Sequence, residues 1–216
     1  MDYAALKSAV LGRLNMSTDD PAASTVGSLV NEAVQMVSAA APESWPHLRR
    51  SVNWSTVAST AVYPFATVMG AVSSSSVVAR VFSVKATIDT SYQSLEILSP
   101  DEADDTYNLT SQTGAPEAYW VEGRAVTLYP TPDAEYGMTA RVAIDEPELV
   151  QETDTPLLPV AYHPAIIAGA LTLYYEQLQD TGRSQAAAQR FDGWISRMRT
   201  AARDRIGLPR VRVRSW

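Results

Sequence analysis

Hydrophobic positions follow a helical period at both ends of this 216-residue chain and a shorter period in between. Near the start, Leu6, Val10 and Leu14 recur every four residues, one face of an amphipathic helix. Asp19-Asp20-Pro21 reads as a stop and restart. Val26, Leu29, Val30, Ala33, Val34 and Val37 then continue at helical spacing until Pro42. Toward the other end, Pro164 suits a first helical position, and Ile167, Leu171, Tyr174 and Leu178 line one face, with Gly182 placed as a C-terminal cap. Ser184 opens a last helix whose stripe is Phe191, Trp194, Ile195, Met198 and Ala202, closed by Gly207 and Pro209.

From about Trp45 to Ile144 the pattern is that of β-structure. Val81 to Ile88 is rich in β-branched residues, and Ser94 to Leu98 reads as another strand. Ser99, Pro100 and Glu102 form a helix start: a cap, a first-position proline and the acid of a capping box. A short helix through Tyr107 is expected. Tyr119-Trp120-Val121 and Ala125 to Tyr129, separated around Glu122-Gly123, read as a hairpin with a two-residue turn, and Met138 to Ile144 supplies a further strand. The fold class expected is α+β. Residues 1–44 and 151–207 contribute two helices each to a four-helix bundle, and residues 45–150 form an inserted β-rich domain with one short helix. Residues 208–216 leave as an extended basic tail.

Charge divides the chain unevenly. Nine of its seventeen Lys and Arg residues lie between Arg183 and Trp216, all of them arginine, beside only Asp192 and Asp204. That segment is +7, whereas the other residues hold eight bases against 22 acids, or −14. Such a division suits a subunit with one surface facing anions and the rest kept away from them. Arg190, Arg197, Arg199, Arg203 and Arg205 occupy more than one face of the last helix, and lysine is absent there. Bidentate contact with phosphate or carboxylate and a simple solvated face are both compatible with that pattern. With no cysteine, disulfides and thiolate metal sites are excluded, and the N-terminus lacks the pattern of a signal peptide. Residues 51–79 carry no charge, but ten of them are Ser or Thr and Pro64 interrupts the apolar part, which argues against a membrane span.

Enzyme signatures are scarce. No phosphate-binding glycine loop and no nucleophile elbow occurs. His47 and His163 each adjoin a proline; either could act as a general base, but a turn or cap role explains them as well. Asp101, Glu102, Asp104 and Asp105 could ligate a hard cation, although a helix N-terminus already accounts for them. Trp194 belongs to a helical stripe and is better read as core than as a ligand pocket. No cofactor is expected.

Several segments, taken in order, resemble the head-to-tail adaptor (connector) proteins of tailed bacteriophages. They are Tyr63-Pro64-Phe65, Leu95-Glu-Ile-Leu-Ser-Pro-Asp-Glu102, Gly114-Ala-Pro-Glu-Ala-Tyr-Trp120 with Gly123, Leu128-Tyr-Pro-Thr-Pro-Asp133, and Leu157 to Leu171. These are scaffold patterns, not catalytic ones. The resemblance implies a non-enzymatic virion protein at the head–tail junction, assembled in the host cytoplasm as a ring of about twelve copies. It implies docking on the portal protein, attachment of tail or nozzle proteins, and DNA passing through a channel without specific binding. The rival reading is a nucleic-acid-binding protein using the arginine-rich C-terminus; the acidic body counts against it. A hydrolase using an acid with His163 has only generic residues behind it.

Two sets of residues carry these expectations. A subunit contact is expected in the uncharged 51–79 stretch, at Val72 and Val77, where desolvation costs little. Portal docking is expected from Arg203 and Arg205 and from the tail. If the tail is extended, Arg210, Arg212 and Arg214 share one side and Val211 and Val213 the other, with Trp216 as terminal anchor.

Overall fold

The computed structural model describes residues 1–17, 19–21, 23–41, 45–69, 78–88, 91–106 and 112–205. The chain divides into two compact units, Met1–His47 with Glu148–Trp216, and Leu48–Pro147. The fold is mixed α and β, with six helices and three sheets among the described residues. None of those helices is long and apolar enough to cross a membrane.

The first unit is helical. Helix α1 (Tyr3–Leu14) starts at Asp2, whose carboxylate accepts from the Ala5 backbone N–H at 2.8 Å, and ends at Asn15 in the left-handed region. In α2 (Ala23–Ala39) all six residues of the expected stripe, Val26 to Val37, are buried. Burying each such Val or Leu stabilises the fold by roughly 1.5–3 kcal/mol. Just after α2, the Trp45 indole N–H donates to the Val37 carbonyl at 2.6 Å.

Helix α5 (His163–Gln177) departs from the one-face expectation. Every residue from Ala165 to Thr172 is buried, so the helix is apolar all round over that span. It contacts α1, α2 and α6 (Thr181–Arg205), which accounts for burial on several faces. Tyr174 is only half-buried and Leu178 is exposed. Gly182 does not cap α5: the left-handed residue is Gln179, and Gly182 lies in the first turn of α6. That turn begins before Ser184, because Asp180 accepts from the Arg183 N–H at 3.0 Å. Ile195 and Met198 of the expected α6 stripe are buried, while Phe191, Trp194 and Ala202 are half-buried. The expected stops at Gly207 and Pro209 lie outside the described residues.

The second unit holds the strands. One four-stranded sheet has the order β1 (Arg49–Ser55), β10 (Gly137–Ile144), β3 (Val78–Ile88), β4 (Ser91–Ser94), all antiparallel. The other runs β2 (Val62–Pro64), β8 (Ala125–Tyr129), β7 (Ala118–Glu122), β5 (Glu96–Ile97). Short strands β6 (Thr113–Gly114) and β9 (Thr131–Pro132) pair in parallel. Two short helices complete the unit, α3 (Phe65–Met69) and α4 (Pro100–Thr106).

Two boundaries differ from expectation. The strand read at Ser94–Leu98 is broken at buried Leu95, whose N–H donates to the Val84 carbonyl while Glu96 begins pairing with β7. A single segment thus serves two sheets. The hairpin turn is Gly123-Arg124, both with positive φ (54° and 66°), rather than Glu122-Gly123, since Glu122 pairs with Ala125. The capping box on α4 is as expected. The Glu102 N–H donates to Ser99 Oγ at 3.2 Å and the Ser99 N–H donates to Glu102 Oε2 at 2.9 Å. The Ser99 N–H, and beside it the Ser99 hydroxyl, donate to the Glu102 carboxylate and hold it below its usual pKa.

At Gly169, helix α5 meets α2 and α6 closely. A Cβ there would stand 3.1 Å from Ala33 Cβ and 3.3 Å from the Phe191 ring. Gly169→Leu should therefore overpack α5 against α2 and α6 and cost about 1–3 kcal/mol. Thermal unfolding should fall by roughly 2–4 °C per kcal/mol lost; an unchanged midpoint would show that the helices part freely there.

Candidate docking surfaces

Helix α6 presents fewer free arginines than the sequence promises. Arg199 donates from Nη2 to the Ala40 carbonyl at 2.7 Å, satisfying an acceptor just past the end of α2 where positive charge is favourable. The Arg197 guanidinium lies 4.9 Å over the Trp194 ring, and Arg183 pairs with Asp180 at 3.5 Å. Arg190 and Arg203 are exposed. Of the expected docking set, Arg203 stands outward near the end of α6. The side chain of Arg205, the tail residues Arg210, Val211, Arg212, Val213, Arg214 and Trp216, and the contact residues Val72 and Val77 lie outside the described residues. The cavity walled by Trp45, His47, Pro159, Tyr162, Met198 and Ala202 measures about 30 Å³, the space of a water molecule rather than of a ligand.

A second basic surface was not legible in the sequence. The sheet β1-β10-β3-β4 contains five bases, Arg49, Arg50, Arg80, Lys85 and Arg141, and no acid. Pairing places Arg49, Ala143 and Arg80 in one row, Ser51, Arg141 and Ser83 in the next, and Asn53, Thr139, Lys85 and Ser94 in a third. Residues directly paired across strands share a face, so Arg49, Arg80, Arg141 and Lys85 emerge on the same side. The opposite face carries buried Val52, Ala140, Val84, Met138 and Ala86. A register shift beside Val142 leaves Phe82 unpaired, and the guanidinium groups of Arg49 and Arg80 sit 5.0 and 5.5 Å from its ring centroid. Arg49, Arg50, Ser51, Phe82 and Arg141 line a cleft of about 410 Å³ there. The available signal was the absence of acids from four separate segments, which only the strand pairing brings together.

The segments that carry the sequence resemblance gather into scaffold contacts. Thr113 and Gly114 pair with Thr131 and Pro132, the Tyr129 hydroxyl donates to Gln112 Oε1 at 2.7 Å, and Glu117 N–H donates to the Tyr129 carbonyl at 2.8 Å. The Tyr63 hydroxyl accepts from Val57 N–H at 2.9 Å and donates to the Thr60 carbonyl at 2.8 Å, fastening the loop before β2. Ala103, Trp120 and Tyr129 pack α4 onto the β7–β8 hairpin. His163 is 1 % exposed, with Nε2 at 2.9 Å from the Leu158 carbonyl and Nδ1 without a hydrogen-bond partner among the described residues. That environment fixes the start of α5, and among the described residues no carboxylate bonds to the ring. His47 stacks on Trp45, with centroids 6.4 Å apart.

The family model described as SU10 adaptor protein matches residues 1–214, and the chain belongs to that family of phage head-to-tail adaptors. No curated protein matches the chain. An adaptor of this family is a structural component of the virion, and its role implies interaction with portal and tail proteins.

Burial pushes the His163 pKa below the ordinary imidazole value of 6.5, against the Leu158 carbonyl, which favours the charged ring. The folded state therefore binds this proton less readily than the unfolded chain. The stability due to neutral His163 is fully present above pH 6.5 and is lost progressively as pH falls below it toward the depressed folded pKa. His163→Gln can still donate to Leu158 but takes up no proton, so the drop in unfolding temperature between about pH 7 and pH 5.5 should be smaller in the variant. Equal drops would mean that His163 does not titrate on unfolding.

Proposed function

We propose that this member of the SU10 adaptor family closes into a ring of about twelve copies beneath the portal protein, extends the DNA channel, and offers the platform on which tail or nozzle proteins assemble. The observation that carries this reading is the family match over residues 1–214, which takes in both compact units. In this reading the helical ends, residues 1–44 and 151–207, form the bundle that frames each subunit. The β-rich insertion, residues 45–150, supplies surfaces toward neighbouring copies, with Val72 and Val77 in the uncharged stretch contributing to the subunit contact.

Docking on the portal is assigned to Arg203, Arg205 and the tail. Exposed Arg203 supports a basic surface leading into the arginine- and valine-rich end. An extended tail places valines for an apolar slot and arginines for acids along its rim, with Trp216 as anchor. The acidic remainder of the chain suits a channel wall on which DNA phosphate finds few fixed cations to hold it.

Deleting residues 208–216 should leave secondary structure and unfolding temperature nearly unchanged while abolishing attachment to portal-bearing heads. Attachment of the truncated protein at wild-type levels would refute the docking role of the tail. Loss of duplex-DNA binding by the truncated protein, with attachment intact, would instead favour a nucleic-acid role for the arginines.

A further inference from the structure

We propose that the basic face of the β1-β10-β3-β4 sheet is one half of the contact between neighbouring copies, and that the acidic surface of β5, α4 and β7 is the other half. The inference rests on the ring reading above and names the surfaces that would build it.

The charge of the second unit is partitioned by sheet. Residues 95–129, which hold β5, α4, β7 and β8, carry seven acids and the single base Arg124. Among them Glu96, Asp101, Glu102, Asp104, Glu117 and Glu122 are exposed. The other sheet carries five bases and no acid, and among the described residues Arg80, Lys85 and Arg141 have no acidic partner of their own. A ring of identical subunits needs two different, mutually complementary surfaces on every copy, and this unit carries such a pair.

The basic side has the features of a prepared surface. Phe82 holds the Arg49 and Arg80 guanidinium groups beside its ring, and the cleft of about 410 Å³ next to it can admit side chains from a partner. On the acidic side, Asp101 and Asp104 are three residues apart on α4 and so project together. Duplex DNA is the other anion that could seek this face. The net charge of the unit disfavours it: Leu48–Pro147 holds six bases against twelve acids, so its overall field repels phosphate. A chain of net charge −7 also needs its bases met by a neighbour's acids if copies are to approach closely.

Charge reversal tests the pairing. The doubly substituted Lys85→Glu/Arg141→Glu and the doubly substituted Glu96→Lys/Asp104→Lys each change exposed residues outside the α4 capping box. Self-association of full-length protein is measured by light scattering, alone and on isolated portal, across a salt series. Each variant alone should associate about tenfold or more weakly than wild type, with circular dichroism unchanged. Mixing the two variants in equal amounts should restore assembly, because in an alternating ring every reversed face meets its complement; this also shows that both variants are folded. Wild-type assembly by either variant would overturn the inference while leaving the ring reading standing. A wild type that assembles neither alone nor on portal would remove the ring reading and the inference together. Loss of duplex-DNA binding in Lys85→Glu/Arg141→Glu, with assembly intact, would overturn the inference in favour of a nucleic-acid surface.

Discussion

Helix α5 must satisfy several neighbours at once, and the helical unit is arranged around that demand. From Ala165 to Thr172 no residue faces solvent, since α1, α2 and α6 contact this helix. A helix so enclosed can carry no charged side chain over that span without an unpaired buried charge. Alanine and glycine recur there, and Gly169 admits Ala33 from α2 and Phe191 from α6 where a side chain would not fit. The one polar side chain in the span, Thr172, returns its hydroxyl to the Ala168 carbonyl at 3.0 Å. Because α5 supplies the core, α6 needs only one stripe for packing and its remaining surface is open to arginine.

In the second unit the corresponding constraint is strand pairing. The period of two along each strand sends hydrophobic residues to one side and polar residues to the other. In the first sheet the polar side is basic. Glu96, Glu122 and the acids of α4 belong instead to the second sheet and its helix. Leu95 is the switch between them, bonded to Val84 of one sheet just before Glu96 joins the other. The two sheets thus share a chain segment while differing in charge, which is how one small unit can present two unlike faces.

These features were not equally legible in the sequence. The α2 stripe was readable in full because its polar face is intact and the 3.6-residue period is clean. The α5 stripe is not legible as one face, because a helix enclosed by several neighbours has no polar face to define a period. Local chemistry is legible where it is short-range: the Ser99–Glu102 capping box spans three residues, whereas the hairpin turn lies one residue later than the glycine alone suggests. Strand β1, Arg-Arg-Ser-Val-Asn-Trp-Ser, gave a weak signal, since Val52 is its only fully buried side chain. The basic sheet face was invisible for a different reason. Arg49, Arg80, Lys85 and Arg141 are neighbours only through register, whereas the C-terminal arginines are consecutive enough to be counted. A charge asymmetry along the chain is therefore legible in the sequence, and one across the fold is not.

Ring closure on the portal is the claim on which the functional account stands, and the mass of the intact portal–adaptor complex tests it most directly. A single species holding this chain in a fixed integer number of copies, about twelve and matched to the portal subunits, is the expected result. A complex with one or two copies, or a free monomer that binds duplex DNA and ignores portal, would contradict it.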